Sequence, residues 1–510
     1  MSKSVKILDC TLRDGGYYTK WDFSAILVKN YFESLDSLPI DYIEVGYRSL
    51  EQKNYFGEFF YTPIKTIEKI QKITKKPLVI ILNERDLDSA QIKELIEPCI
   101  GKIDMVRLAV DPINLDNAIQ KALIIKDMGF KLAFNVMYLS KWQKNQEFIN
   151  KLKNIELYVD YFYMVDSFGA VFPNDIKKVI REIRKTTRVK LGFHGHNNLE
   201  LALANTLIAI EEGVDIVDST ILGMGRGAGN LKTELLLSVL SKDLNTDFNA
   251  FNKTIEDFNK LKKTYKWGTN LPYMIAGTQS IPQKLIMEWI GKKFYTFNSI
   301  VSALNSNKNK HHNIRLKRIK AIKYSKVLII GGGDSIINHY DAIKDFISKN
   351  KDLILIFSSS RHIKHFKYFK NKSIICLVGN EDERLRKNQT DSKLNMNFVL
   401  PPPPRELGTF VPSGIIEDVF EIEKFTFLKD TITSHCSTAI QTAIEFGIND
   451  IQIVGFDGYE AKNKSTKEDE LAKENELIFE SAQKNGINIT SLTPTLYKSL
   501  RLKSIYTLID

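Results

Sequence analysis

Two histidines stand one residue apart in KLGFHGHNN, His194 and His196, and the first 300 residues contain no others. On an extended strand, residues i and i+2 share a face, so both imidazoles can turn toward one cation. A carboxylate would complete a facial set, and Asp14 in CTLRDGG (10–16) is best placed if the first and seventh strands of a closed sheet lie near each other. Arg13 beside it cannot lose its proton and is suited to holding an anionic oxygen next to an ion; a salt bridge at a barrel end would use the same pair. GMGRGAGN (223–230) carries four glycines, Gly225 among them, which let backbone approach a ligand closely, and Asn230 at its end can supply a further oxygen. Two nitrogens and several oxygens without sulfur suit Mn2+ or Mg2+, with Co2+ or Zn2+ also compatible.

Such a set needs a scaffold that brings distant segments together. Eight short apolar runs recur in the first 225 residues: 6–11, 41–46, 77–82, 105–110, 131–136, 161–166, 190–195 and 215–223. Each gap holds one amphipathic stretch, such as LELALANTLIAIEEG (199–213), with apolar residues at helical spacing. Strands alternating with helices pair in parallel, and eight units in about 250 residues match a closed (β/α)8 barrel. A doubly wound open sheet is the alternative, disfavoured because no glycine fingerprint follows the first strand. Barrel active sites sit at the C-terminal strand ends. That places Asp14, Glu44, Arg48, Asn83, Arg107, Asn135, Asp166 with Ser167, the histidine pair and Asp218 at the working end. Asn135 and Asp166 are expected to touch substrate.

At 510 residues one core does not suffice. The expected division is a barrel over 1–245, a helical extension over 246–305, a basic linker over 306–325, and a smaller Rossmann-like α/β domain with an open parallel sheet over 326–510. In that domain Gly331 and Gly333 lie between strand and helix in VLIIGGGDS, where backbone N–H groups favour phosphate, and Asp457 ends the strand IQIVGFD. A nucleotide or nucleotide-sugar site there is one reading; a non-catalytic oligomerisation or substrate-delivery domain is the other. The segment is not GxGxxG and no acidic residue ends the next strand, which argues against NAD. His435 and Cys436 are adjacent, so their side chains point apart and a structural role is expected. The net charge of +11 is spread over the chain, apart from the dense basic run 308–326. Nucleic acid is therefore not an expected partner, and the charge suits phosphorylated or carboxylated small substrates. No apolar run reaches membrane-spanning length and no signal core opens the chain. The four cysteines are far apart. A cytoplasmic protein with free thiols is expected.

LDCTLRDGG (8–16), DYIEVGYRS (41–49), MVDSFGAVFP (164–173) and the stretch 192–230 together resemble the DRE-TIM metallolyases, the HMGL-like or pyruvate carboxyltransferase-like superfamily. GMGRGAGN and WGTNLPYMIAG (267–277) are most similar to its 4-hydroxy-2-oxovalerate aldolase branch. The resemblance implies a metal-dependent aldolase or lyase that makes or breaks a C–C bond beside a 2-oxo acid through an enolate, with an aldehyde partner. It implies Asp14, His194 and His196 as metal ligands, with Asn230 as a fourth in some members. Arg13 would stabilise the enolate oxygen, Glu44 would orient a metal-bound water or Arg13, and Ser167 would touch the substrate carboxylate or carbonyl. Where pyruvate-specific aldolases carry an acid–base histidine, four positions after the arginine, this chain has Tyr17. Tyr18, Tyr47 and Tyr273 are further candidates for proton transfer, and Tyr273 is also expected at the substrate. A Claisen-type acyl-CoA enzyme of the same superfamily, or a barrel serving as scaffold for a C-terminal transferase, are the alternatives. Homodimers are common in the family. The second domain faintly resembles the open-sheet domain of bacterial sialyltransferases.

Overall fold

The computed structural model describes residues 5–240, 247–291, 297, 300–301, 304–305, 315–319, 324–379, 381, 385, 396–403, 405, 419–428, 433–459 and 466–509. The chain divides into two compact units, Met1–Met287 and Glu288–Asp510.

In the first unit eight parallel strands close into a barrel: β1 (Lys6–Asp9), β2 (Tyr42–Tyr47), β3 (Leu78–Asn83), β4 (Met105–Val110), β5 (Lys131–Val136), β6 (Tyr161–Asp166), β7 (Lys190–Gly195) and β8 (Ile216–Ser219), with β8 pairing back on β1. The expected barrel is therefore the observed one. Each crossover helix follows from its local sequence. Pro173 opens the helix Pro173–Thr186, where its missing N–H is no loss, and Ile176, Val179, Ile180 and Ile183 recur at helical spacing and are buried.

Alternation along the strands decides what fills the barrel. Leu8, Tyr42, Val79, Met105, Ala133, Tyr161 and Ile216 form an apolar lumen. One pleat further, the inward positions become Glu44, Arg107, Asn135 and Asp218, so the lumen turns from apolar to charged at its C-terminal end. Opposite parity carries the larger apolar layer between strands and helices.

After the barrel, the helix Asn252–Tyr265 lies on the helix Ala25–Asp36: Thr254 donates to the Asn30 carbonyl at 3.0 Å and Asn30 donates to Asp257 at 2.8 Å. The helix Leu271–Thr278 is tied to the loop after β7, where Asn198 donates to the Tyr273 carbonyl at 2.9 Å. Trp267 donates to the Leu222 carbonyl at 3.1 Å, in the loop after β8.

The second unit holds a parallel sheet. Among the described residues its strands are β9 (Lys317–Arg318), β10 (Lys326–Ile330), β11 (Leu353–Phe357), β12 (Ser373–Cys376), β13 (Asn397–Leu400), β14 (Val419–Glu421), β15 (Asp450–Val454), β16 (Asn488–Ser491) and β17 (Arg501–Leu502). They lie in the order β17-β16-β15-β10-β11-β12-β13-β14-β9, apolar-filled on both faces. Part of the basic stretch expected as a linker thus belongs to the sheet. β9 pairs with β14, and the Leu316 amide beside it donates to Glu421 at 3.0 Å. Residues 306–314 and 320–323 of that stretch lie outside the described residues. No helix among the described residues is long and apolar enough to cross a membrane.

A candidate metal centre at the mouth of the barrel

Six side chains form a closed ring of alternating partners at the charged end of the lumen. Arg13 donates through Nε to Glu44 at 2.6 Å and through NH1 to Asp14 at 2.8 Å. Glu44 faces the NH1 of Arg107 at 3.4 Å, and Arg107 donates to Asp218 at 2.6 Å. The same Asp218 oxygen lies 2.8 Å from His194 Nδ1, and His194 Nε2 lies 3.6 Å from Asp14. All six are buried. Buried charges persist only when paired, so each member depends on its neighbours.

The electrostatics follow from this pairing. Burial alone would keep Asp14 protonated, but the Arg13 guanidinium and then His194 hold its carboxyl well below the usual range. Burial likewise resists ionisation of Asp218, which Arg107 and His194 overcome. Burial disfavours a charged His194, yet Asp14 and Asp218 raise its pKa above the ordinary value. His196 has no such carboxylate contact. Burial and the neighbouring His194 push it down to about 3, so it is neutral.

Asp14, His194 and His196 present one ligand atom each within 4.8 Å of one another. The fit to a cation is tested by where their lone pairs go. His196 Nδ1 lies 3.0 Å from the Asp166 carbonyl and His194 Nδ1 is on the Asp218 carboxylate. Both partners accept, so each Nδ1 carries the ring hydrogen and each Nε2 is the atom left available to a cation. His196 Nε2 is buried with no partner, and so is Asn230 Oδ1, whose amide nitrogen donates to Asp14. Two orphaned acceptors beside an ionised carboxylate are what a hard divalent cation satisfies. A second grouping, Cys10 with His194 and Asp218, offers nothing comparable: burial raises the thiol pKa well above its ordinary value, and the Asp218 oxygen is already shared by His194 and Arg107.

Ligation requires neutral His194, whose proton the neighbouring carboxylates retain above the ordinary imidazole pKa. Stabilisation by a divalent cation should therefore grow as pH rises through and above the ordinary imidazole range. Unfolding temperatures with and without the cation test this, and a shift independent of pH would contradict it.

A model of the HMGL-like family matches residues 4–262, which include every residue of the ring. The chain belongs to the HMGL-like family. Similar proteins named 4-hydroxy-2-oxovalerate aldolase include one from Carboxydothermus hydrogenoformans, 33% identical over 245 residues, 48% of this chain and 72% of that protein. One from Geobacillus thermodenitrificans is 30% identical over 243 residues, 47% of this chain and 70% of that protein. The crystal structure of the N-terminal domain of a candidate aldolase from Bacteroides vulgatus is 51% identical with a TM-score of 0.56, covering 59% of this chain and 100% of that one. The HMGL-like chain is accordingly an enzyme of the carbon–carbon lyase class.

Other expected site residues are placed less simply. Gly225 serves Asn230: a Cβ there would stand 2.5 Å from the Asn230 amide nitrogen. Gly225→Ala should displace that side chain and weaken cation affinity roughly tenfold, read by titration calorimetry; unchanged affinity would remove Asn230 from the ligand set. Asn135 faces the lumen beside the ring, where its amide oxygen accepts from Arg107 Nε at 2.8 Å. The Asp166 carboxylate is turned into its own loop, accepting from the Ala170 and Val171 amides at 3.0 and 3.3 Å, and burial pushes its pKa up to about 7. It is the Asp166 carbonyl that reaches the site, through His196. Ser167 Oγ accepts from the Tyr138 amide at 2.9 Å. Tyr17 and Tyr47 share a hydroxyl–hydroxyl hydrogen bond at 3.1 Å. Tyr273 is buried near Tyr18, and burial pushes its pKa up to about 12. Sequence reasoning put Arg107 and Asp218 at the working end but gave them no role. Their parity with Met105 and Ile216 was the available signal.

In the second unit Gly331 and Gly333 do form the turn after β10, beside the loop after β15. The anion there is the protein's own. Asp457 accepts from the Ser335 amide at 2.9 Å and from its hydroxyl, and a Cβ on Gly333 would stand 2.5 Å from the Asp457 carboxylate. The position expected for a phosphate is thus filled by Asp457, an interaction that joins the two loops. Cys436 is buried and its thiol pKa is raised well above the ordinary value; His435 Nε2 lies 3.5 Å from Glu381.

Proposed function

We propose that the barrel is a divalent-metal-dependent aldolase acting on a 2-oxo acid of the pyruvate type, with an aldehyde as the other partner. The observation that carries this is the pair of orphaned acceptors, His196 Nε2 and Asn230 Oδ1, beside ionised Asp14 and within reach of Arg13. Asp14, His194 and His196 would hold the ion, with Asn230 completing the set; oxygen-rich donors favour Mn2+ or Mg2+. When bound, such an ion supplies Lewis acidity toward the carboxylate and keto oxygens of the 2-oxo acid.

The protein's own contributions follow from the ring. Glu44 and Asp14 fix two edges of the Arg13 guanidinium, leaving NH2 to donate to the oxygen on which enolate charge develops. His194 and His196 are locked in orientation by Asp218 and the Asp166 carbonyl. Tyr17 Oη, hydrogen-bonded to Tyr47, takes the place of the expected histidine as proton carrier. In the cleavage direction its phenolate form would receive the proton of the 4-hydroxyl and later return it to C3 of the enolate. The C3–C4 bond breaks, the aldehyde leaves, and the electron pair becomes the enolate later protonated at C3. The names of the similar proteins support the same reaction class.

The test is a panel of 4-hydroxy-2-oxo acids, with pyruvate release followed through NADH oxidation by lactate dehydrogenase. Release should cease on chelation and return with Mn2+ or Mg2+. Release indifferent to chelation, or none from any member of the panel, would overturn the reading.

A further inference from the structure

The mouth of the barrel holds a third guanidinium, Arg226, that takes no part in the ring. Arg13 and Arg107 are each bound by two carboxylates. Arg226 forms no ion pair among the described residues, and its Nε is buried without a hydrogen-bond partner. Its guanidinium carbon lies 5.1 Å from the centre of the Tyr17 ring. That ring is backed by Trp21, 4.8 Å away, and its hydroxyl is on Tyr47. A cation stacked on a tyrosine face is held flat and keeps its N–H edges free, the geometry that receives a carboxylate or phosphate in two parallel hydrogen bonds. The carboxylate whose charge acts on it is Asp14, and Asp14 is already engaged by Arg13 and Asn230.

Charge balance points the same way. The three ring carboxylates, Asp14, Glu44 and Asp218, are matched by Arg13, Arg107 and Arg226. Asp166 is turned away into its loop. A divalent ion then leaves two positive charges, of which the carboxylate of a 2-oxo acid neutralises one. Until enolate charge develops one positive charge remains, and the partly exposed Arg226 guanidinium, its Nε buried without a hydrogen-bond partner, is where a second anion arriving with the substrate would pair it.

We propose that Arg226 is a specificity-determining residue that binds an anionic group, carboxylate or phosphate, on the acceptor aldehyde. The inference rests on the aldolase reading above and names its substrate class. Since Tyr17 both carries Arg226 and stands where proton transfer is assigned, an anion on Arg226 would hold the aldehyde carbon beside Tyr17 Oη.

The full chain, loaded with Mn2+ and given pyruvate, is compared on matched acceptors: glyoxylate and succinic semialdehyde, glyceraldehyde 3-phosphate, and the neutral acetaldehyde, propionaldehyde and glyceraldehyde. Anionic acceptors should exceed neutral ones of similar length in kcat/KM by about tenfold or more, mainly through KM. The carboxylate and phosphate arms separate the two sources of the anion. Arg226→Met should bring the anionic-to-neutral ratio close to one, and Arg226→Lys should restore part of it. A wild-type ratio near one, or a preference that survives in Arg226→Met, overturns the inference. Metal-dependent exchange of pyruvate methyl protons is measured on the same wild-type preparation. Exchange without an anion preference sinks this inference alone, while absent exchange sinks the aldolase reading and this inference with it.

Discussion

Arg13→Lys should lower turnover by about 10²–10³-fold while leaving bound metal unchanged, as expected for loss of a preorganised oxyanion donor. Arg13 spends Nε on Glu44 and NH1 on Asp14, which fixes the plane of the guanidinium and leaves NH2 as the free donor. A lysine ammonium is a point charge on a flexible stem. It cannot bridge both carboxylates and still present a third donor in a fixed direction. Asp14 keeps Asn230 and the histidines around it in the variant, so the cation site persists. Steady-state turnover together with metal analysis of the purified protein decides the matter. Full turnover in Arg13→Lys would mean that a positive charge at this position is enough.

Removal of the other ring arginine should cost stability before it costs chemistry. Arg107 is 0% exposed and ties Asp218, Glu44 and Asn135 together, with its guanidinium 4.2 Å over the Tyr163 ring. Arg107→Met leaves two buried carboxylates short of a partner, a change that destabilises by roughly 3–5 kcal/mol. Chemical denaturation of the metal-free protein measures it. Adding Asp218→Asn should recover part of the loss, because the second change removes one of the stranded charges. A near-neutral single variant would show that water reaches this layer of the barrel and that the ring is not the unit described.

Both predictions depend on an end of the lumen whose location was readable from sequence, because parallel strands buried on two faces appear as unbroken apolar runs between amphipathic helices. The ends of those runs were less readable. KILDCT stops as a strand at Asp9 and DIVDSTILG at Ser219. In the first case Thr11–Thr19 turns helical although it contains Gly15 and Gly16, and Gly16 lies where the Trp21 ring packs against the helix, leaving no room for a Cβ. In the second unit β10, β11, β12 and β15 were legible, but β16 (NITS) and the two-residue β9 and β17 carry no apolar run. They are strands only because a neighbour's edge offers hydrogen bonds.

The candidate ligands were legible as residue types at strand ends; the directions of their neighbours were not. Asn135, Asp166 and Asp218 occupy similar positions on their strands. The first is held by Arg107, the second bends into its own loop, and the third grips His194. What separates them is the turn that follows each strand and the parity of the inward positions. Motif spacing carries the second of these but not the first.

Enolate chemistry in the barrel is tested most directly by methyl-proton exchange of pyruvate in D2O, followed by NMR, with metal-stripped protein and with protein restored by Mn2+. Exchange is expected only in the restored protein, and should be lost when Arg13 is replaced. Exchange that persists without metal, or none in the restored protein, would contradict a barrel built to stabilise an enolate.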